Sequence, residues 1–251
     1  MMSSIEGRYG GMMVFAHRGA SGAAPENTMA AFEQAAEKGA DGVELDVHMS
    51  ADGKVVVIHD SRLDRTSDGS GEVAYMNYAE LEKFDMGAKW RGSPWGFQKM
   101  PLLGEVIDLA RSTDMMLNIE LKGYKANPGL AEAVAGIVTD MGYEGRTVIS
   151  SFDIGQLRRM KVALPHARLA YITFFPPQPQ MGVLEDLWGC HPNHSLTTKL
   201  SVKKWQDAGM HVQLWTVNSK EAILRAIRIG ADGIITNHPA LALSIKEGKI
   251  K

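Results

Sequence analysis

Gly42-Val43-Glu44-Leu45-Asp46-Val47-His48-Met49 decides the fold, because apolar and ionisable residues alternate through it without a break. Side chains on a β-strand point alternately to two faces. Val43, Leu45 and Val47 therefore share one side, and Glu44, Asp46 and His48 the other. A barrel strand is covered on both faces, by helices outside and by the packed core inside. The apolar set suits the helices, which turns the carboxylates inward. There they need partners, because an unpaired buried charge is costly. Leu117-Asn118-Ile119-Glu120-Leu121-Lys122 repeats the pattern, with Asn118, Glu120 and Lys122 opposite Leu117, Ile119 and Leu121. Three acids from two strands thus converge near one mouth.

Outward from these runs, short apolar stretches at 13–16, 55–59, 147–152, 168–173, 211–217 and 233–236 read as further strands. Helical periodicity lies between them at 28–38, 130–141, 156–164, 199–208 and 220–229, and Asn218 with Glu221 has the spacing of a capping box before the last. Strands alternating with helices mean βα units and a parallel α/β sheet, which the doubly wound fold and the (β/α)₈ barrel both satisfy. About eight units in 251 residues favour the TIM barrel. A weak repeat, Gly39-Ala40-Asp41-Gly42-Val43 and Gly230-Ala231-Asp232-Gly233-Ile234, twice places a helix-ending glycine before a strand, as loops at the bottom of a barrel require. Residues 61–100, rich in glycine and carrying Trp90, Trp95 and Phe97, are too long for an ordinary βα loop. They are expected to form a small insertion over the catalytic face, after a strand ending at His59. Residues 174–182, with Pro176, Pro177 and Pro179, read as a stiff loop on the same face.

With 45% hydrophobic residues, 12–251 is expected to be one domain. Residues 1–11 are set aside as a tail: Ile5-Glu6-Gly7-Arg8 has the pattern of a protease site used in expression vectors, and the stretch lacks the apolar run of a secretory signal. The single cysteine, Cys190, excludes an internal disulfide and fits a reducing compartment. A net charge of −2 provides no basic field for nucleic acid or anionic lipid. No run reaches the ~20 apolar residues that span a bilayer. A cytoplasmic protein without a membrane anchor is the expectation; composition is silent on oligomeric state.

Glu44, Asp46 and Glu120 are hard oxygen donors of the kind that hold Mg²⁺ or Ca²⁺. The competing reading is that Lys122 or Arg18 neutralises them without a metal. His17 follows the run 13–16 and His59 the run 55–58, so each stands where an apolar strand ends, the position of catalytic residues in barrels. Two imidazoles titrating near neutrality can divide acid and base work. His48, His166, His191, His194, His211 and His238 lack this setting and read as structural or surface residues. Ser150-Ser151 lacks the flanking pattern of a nucleophile elbow, which argues against a serine hydrolase.

Taken together, Ala16-His17-Arg18-Gly19, Pro25-Glu26-Asn27-Thr28, Gly42 to Val47, Asp52-Gly53 and His59-Asp60 resemble the N-terminal signature of glycerophosphodiester phosphodiesterases, in its spacing as well. Asn118 to Lys122, Trp215-Thr216-Val217-Asn218 and Asp232 to Thr236 resemble later strands of that family, so the likeness runs from about Val14 to Pro239. The resemblance implies a TIM barrel that hydrolyses glycerophosphodiesters to sn-glycerol 3-phosphate and an alcohol such as choline or ethanolamine. It implies His17 and His59 as the acid/base pair, and Glu44, Asp46 and Glu120 as ligands of one divalent ion, Mg²⁺ or Ca²⁺. Arg18 and Lys122 would be cations near the phosphate, Trp215 an aromatic lining the substrate site, and 61–100 the family's insertion. The chain departs at Asn237, where many members carry Asp; this position is read as a cap on the last strand.

Two other functions fit parts of the pattern. A phospholipase acting on intact lipids would use Trp90, Trp95 and Phe97 as an apolar rim, though no basic amphipathic helix accompanies them. A catalytically silent barrel binding a phosphorylated ligand is compatible with the fold, but would leave both histidines and all three acids without a task.

Overall fold

The structure is a computed structural model, and it describes residues 11–90, 94–122, 129–175 and 187–250. The expected tail and most of the proline-bearing loop lie outside these residues. The elements run β1 (Met13–His17), α1 (Met29–Glu37), β2 (Gly42–Met49), β3 (Val55–Val57), α2 (Tyr78–Leu81), α3 (Leu103–Ser112), β4 (Met116–Leu121) and α4 (Leu130–Asp140). They continue through β5 (Thr147–Ser151), α5 (Ile154–Ala163), β6 (Arg168–Thr173), β7 (Gly189–Pro192), α6 (Lys199–Asp207), β8 (His211–Leu214), α7 (Lys220–Ile229), β9 (Gly233–Thr236) and α8 (Pro239–Lys246). All strands except β3 pair in parallel with their neighbours, and β1 pairs with both β2 and β9. The result is a closed, eight-stranded (β/α)₈ barrel.

The sequence reading errs at one strand. Val55–Val57 pairs antiparallel with β2 and lies outside the barrel, and it stops two residues short of His59. The missing barrel strand is β7, Gly-Cys-His-Pro, four residues with no apolar run to betray it. It is held by parallel neighbours on both sides, Ala170↔Gly189 and Gly189↔His211. The capping expectation at α7 is also displaced: Ser219 is the N-cap, its side chain accepting from the Ala222 amide. Asn218 instead accepts from the Asn237 amide and ties the ends of two strands.

Alternation dictates the layers. The outward set of β2, Val43, Leu45 and Val47, is fully buried among α1, α3 and α4 residues such as Phe32, Ile107 and Val134. The inward set at the bottom, Met13, Phe15, Met116, Val148, Ala170 and Ile235, closes the barrel interior as a dry plug. The repeat explains two matching corners. Gly39 and Gly230 sit at φ +78° and +80°, conformations that stop α1 and α7 at little cost for glycine. Asp41 then accepts the Val14 amide and Asp232 the Val212 amide, each at 2.7 Å, so each aspartate fixes the neighbouring strand. Residues between β3 and α3 build an apolar cluster of their own, with Leu63, Val73, Leu81, Met86 and Met100 buried beside Val56 and Ile58. Trp90 and Trp95 are partly buried there, and Phe97 is exposed. Among the described residues no helix is long and apolar enough to cross a membrane.

Candidate active site

Along β4 the inward side chains climb from Met116 through Asn118 and Glu120 to Lys122, from apolar plug to neutral amide to acid to base. β2 runs beside it in register, Glu44 opposite Asn118 and Asp46 opposite Glu120. This register gathers Glu44, Asp46 and Glu120, all buried, so that one oxygen from each lies within 4.8 Å of the others. Lys122 Nζ reaches Glu120 at 2.5 Å and Asp46 at 3.3 Å, and Arg18 Nε lies 3.3 Å from Asp46. The Arg18 amide donates to Glu44 at 3.0 Å, which the backbone permits because Arg18 adopts φ +55°. Left-handed conformation in a non-glycine residue costs energy, and such strain persists where the surroundings over-determine it. Here Asn27, also at φ +55°, donates its amide to the Arg18 carbonyl and its side chain to Asp46.

Arg18 and Lys122 contact the acids but offset their charge unevenly. Burial raises the affinity of all three for protons. For Asp46 the opposing pull of Lys122 and Arg18 prevails and holds it well below the usual carboxylate range. Glu44 is raised well above its ordinary value by burial and by repulsion from Asp46 and Glu120. Glu120 is pushed up to about 7 by burial and the Asp46 charge, despite Lys122. Two carboxyls that resist ionisation beside a third that is ionised form a site short of positive charge. The all-oxygen donor set fits a divalent cation such as Mg²⁺ or Ca²⁺.

His17 Nδ1 hydrogen-bonds Asn237 Oδ1 at 2.7 Å, and its Nε2 lies 4.0 Å from Glu44. Burial, then the Arg18 charge, pushes its imidazole down to about 4. The Asn237 reading is therefore corrected: besides closing the end of β9, this residue holds the His17 ring. His59 Nδ1 contacts Asp60 at 2.5 Å, and desolvation lowers its imidazole as well. Asp60 continues to Arg65 at 2.6 Å, Arg65 to Glu26 at 2.7 Å, and Glu26 to Arg18 at 2.9 Å. One chain of polar contacts thus runs from His59 back to the acid cluster.

His17, Arg18, Glu44, His59, Glu120, Lys122 and Trp215 all line a single open cavity of about 160 Å³; Asp46 lies behind them, fully buried. Its opposite wall is aromatic. Phe152, Phe174 and Trp215 meet with ring centroids 5.1–5.5 Å apart, and Trp215 Nε1 donates to the His191 carbonyl. Asn118, His191, Ile172 and Ile235 complete the lining. Sequence reading missed Phe152, Phe174 and His191 here. The phenylalanines lie just past strands and look like core or loop residues, and His191 sits on the strand that was itself missed. Regular alternation from Gly189 would have been the only signal.

The sequence profile of the Glycerophosphoryl diester phosphodiesterase family matches residues 17–241. The chain belongs to this family. It is 37% identical over 236 residues to a glycerophosphodiester phosphodiesterase of Caldanaerobacter subterraneus subsp. tengcongensis, covering 93% of this chain and 97% of that one. It is 38% identical to another from Bacillus altitudinis, covering 93% and 98%. Among solved structures, an Oleispira antarctica phosphodiesterase in complex with the product sn-glycerol-3-phosphate superimposes with a TM-score of 0.85 at 31% identity, covering 94% of this chain and 96% of that one.

Proposed function

We propose that the chain hydrolyses glycerophosphodiesters to sn-glycerol 3-phosphate and an alcohol, with a divalent cation held by Glu44, Asp46 and Glu120 and with His17 and His59 as the acid/base pair. The observation that carries the reading is the convergence of two histidines, three clustered acids and two cations at one cavity. A bound cation would offset the negative charge that a phosphodiester accumulates on its non-bridging oxygens. Arg18 and Lys122 add positive charge at the cavity wall. One imidazole takes a proton from the attacking hydroxyl and the other gives a proton to the departing alcohol; where the attacker is the substrate's own glycerol 2-hydroxyl, the cyclic phosphate so formed is then opened by a water to give sn-glycerol 3-phosphate. Trp215, with Phe152 and Phe174, offers an apolar wall to the carbon skeleton. Residues 61–100 serve this machinery through Arg65, which steadies Asp60 and hence His59.

A coupled assay for released glycerol 3-phosphate tests the reading across a panel of glycerophosphodiesters, with Mg²⁺ and Ca²⁺ compared. Activity should vanish on chelation and return with divalent cation. Full activity after exhaustive chelation would reinstate the metal-free ion-pair arrangement. Hydrolysis of vesicle phospholipids, with glycerophosphodiesters ignored, would favour the lipid-directed alternative.

A further inference from the structure

Three ionisable residues alternate along one face of β2, and the proposed chemistry uses two of them, Glu44 and Asp46. His48 is the third. It is buried, and its Nε2 lies 3.1 Å from the backbone carbonyl of His59. A carbonyl only accepts, so Nε2 carries a proton and donates it. Across the strand pair His48 stands opposite Val56, which packs in the apolar cluster of the insertion. An apolar side chain would suit such a neighbour, and burying an imidazole is unfavourable unless it is hydrogen-bonded. What the histidine adds at this position is its bond to His59.

That bond falls where regular structure has run out. β3 ends at Val57, two residues before His59. Beyond it the chain is tied back to β2 twice: the Ile58 amide donates to the Asp46 carbonyl at 3.0 Å, and the His59 carbonyl accepts from His48. Asp60, itself held by Arg65, takes the Nδ1 end of the His59 ring. His59 is thus held at both ends, its backbone by β2 and its imidazole by Asp60. His48 is not among the residues that line the cavity, so it acts through His59 and not on the substrate. We infer that His48 is a positioning residue of the reaction: its Nε2–H, donated to the His59 carbonyl, ties the His59 segment to the strand that carries Glu44 and Asp46 and so sets the reach of the imidazole over the acid cluster. Rate depends steeply on such placement, since a shift of about 1 Å can cost ~10²-fold. The inference rests on the proposed role of His59 for its effect on rate, and on the hydrogen bond for the mount itself.

The test compares His48→Gln with His48→Leu in steady-state turnover of glycerophosphocholine, with divalent cation supplied. Glutamine keeps a side-chain N–H at a reach close to that of Nε2; leucine fills much of the space and removes the donor. His48→Leu should lower kcat ~10–10²-fold with KM within about 3-fold of wild type, because the groups that touch the substrate are unchanged. His48→Gln should recover kcat to within about 5-fold of wild type. Wild-type kcat in a folded leucine variant would overturn the inference. A glutamine variant as slow as the leucine one would overturn it too, and would make His48 a packing residue. His48→Met supplies the donor-free member if the leucine variant does not fold. One measurement needs no variant: in nitrogen NMR spectra of labelled histidine, wild-type His48 should carry its proton on Nε2 at neutral pH, and a bare Nε2 would overturn the inference. The same spectra separate the mount from the proposed activity. A His59 ring signal that shifts in the donor-free variant and returns in His48→Gln keeps the mount even if the wild type turns nothing over, which would remove the proposed function alone. Turnover by the wild type with an unmoved His59 signal does the reverse.

Discussion

The two walls of the cavity are built on opposite principles. On the side of β1, β2 and β4, ionisable groups hold one another: His59, Asp60, Arg65, Glu26, Arg18, Asp46, Lys122 and Glu120 form one continuous chain of contacts. On the side of β5 to β8, the lining is aromatic or uncharged, and its polar groups at the floor are unpartnered. The first wall is tied together by charged contacts; the second is largely apolar, with a few unpartnered polar groups. A diester has two dissimilar parts, an anionic phosphate and carbon-bearing alcohols. The difference between the walls assigns one part to each.

The charged wall should be the more sensitive to single changes. His17→Ala or His59→Ala should lower kcat by at least ~10²-fold, the usual loss when acid/base help is removed. Steady-state kinetics on glycerophosphocholine decides it, and near-normal turnover in either variant removes that histidine from the mechanism. Next comes Glu120→Gln. A carboxyl pushed up to about 7 is one whose ionisation burdens the fold. The variant should bind divalent cation more weakly, and yet melt higher than wild type without metal, by about 1–3 kcal/mol of stability. A lower melting temperature in the absence of metal would mean that the ion pair with Lys122 outweighs the crowding, and that this wall is built for stability.

The apolar wall should respond in binding rather than in chemistry. Trp215→Ala deletes an edge-on contact with both Phe152 and Phe174. It also removes apolar surface offered to the substrate's carbon skeleton, and partial loss of such contact is worth about 0.7–1.4 kcal/mol, so KM should rise ~3–10-fold with kcat largely kept. A kcat effect as large as that of the histidines would erase the distinction between the walls.

The same contrast explains what the sequence disclosed. Glu44, Asp46 and Glu120 are conspicuous because ionisable residues at alternate positions of an otherwise apolar strand demand an explanation. His17 and His59 stand out as polar residues closing apolar runs. Phe152, Phe174, Ile172 and Ile235 carry no such anomaly, since their residue types are those of any core. β7 stayed hidden because Gly, Cys, His and Pro have weak strand preference, and its neighbours impose the extended conformation. β3 misled for the opposite reason: three valines read as a barrel strand, although they extend β2 on the outside. Asn237 is instructive as well. Its place at the end of β9 was legible, but its contact with His17 spans 220 residues of sequence and emerges only when the barrel closes.

The smallest expected effect probes the dryness of the uncharged wall. Burial pushes the His191 imidazole down to about 3, whereas an unfolded chain holds a histidine near ~6.5. Below that value the unfolded state therefore binds a proton that the folded state refuses, so this residue makes stability fall as pH falls, from about neutrality down towards 3. Between pH 8 and pH 6 the loss from this one group amounts to about 1 kcal/mol, or roughly 2–4 °C in melting temperature for a chain of this size. His191→Phe abolishes the titration and leaves the other histidines to act alike in both proteins. The difference in melting temperature between variant and wild type should widen in favour of the variant as pH is lowered from 8 to 6. A constant difference would mean that His191 accepts its proton within the fold, which requires water or a counter-charge at the floor and would make the second wall as polar at its base as the first.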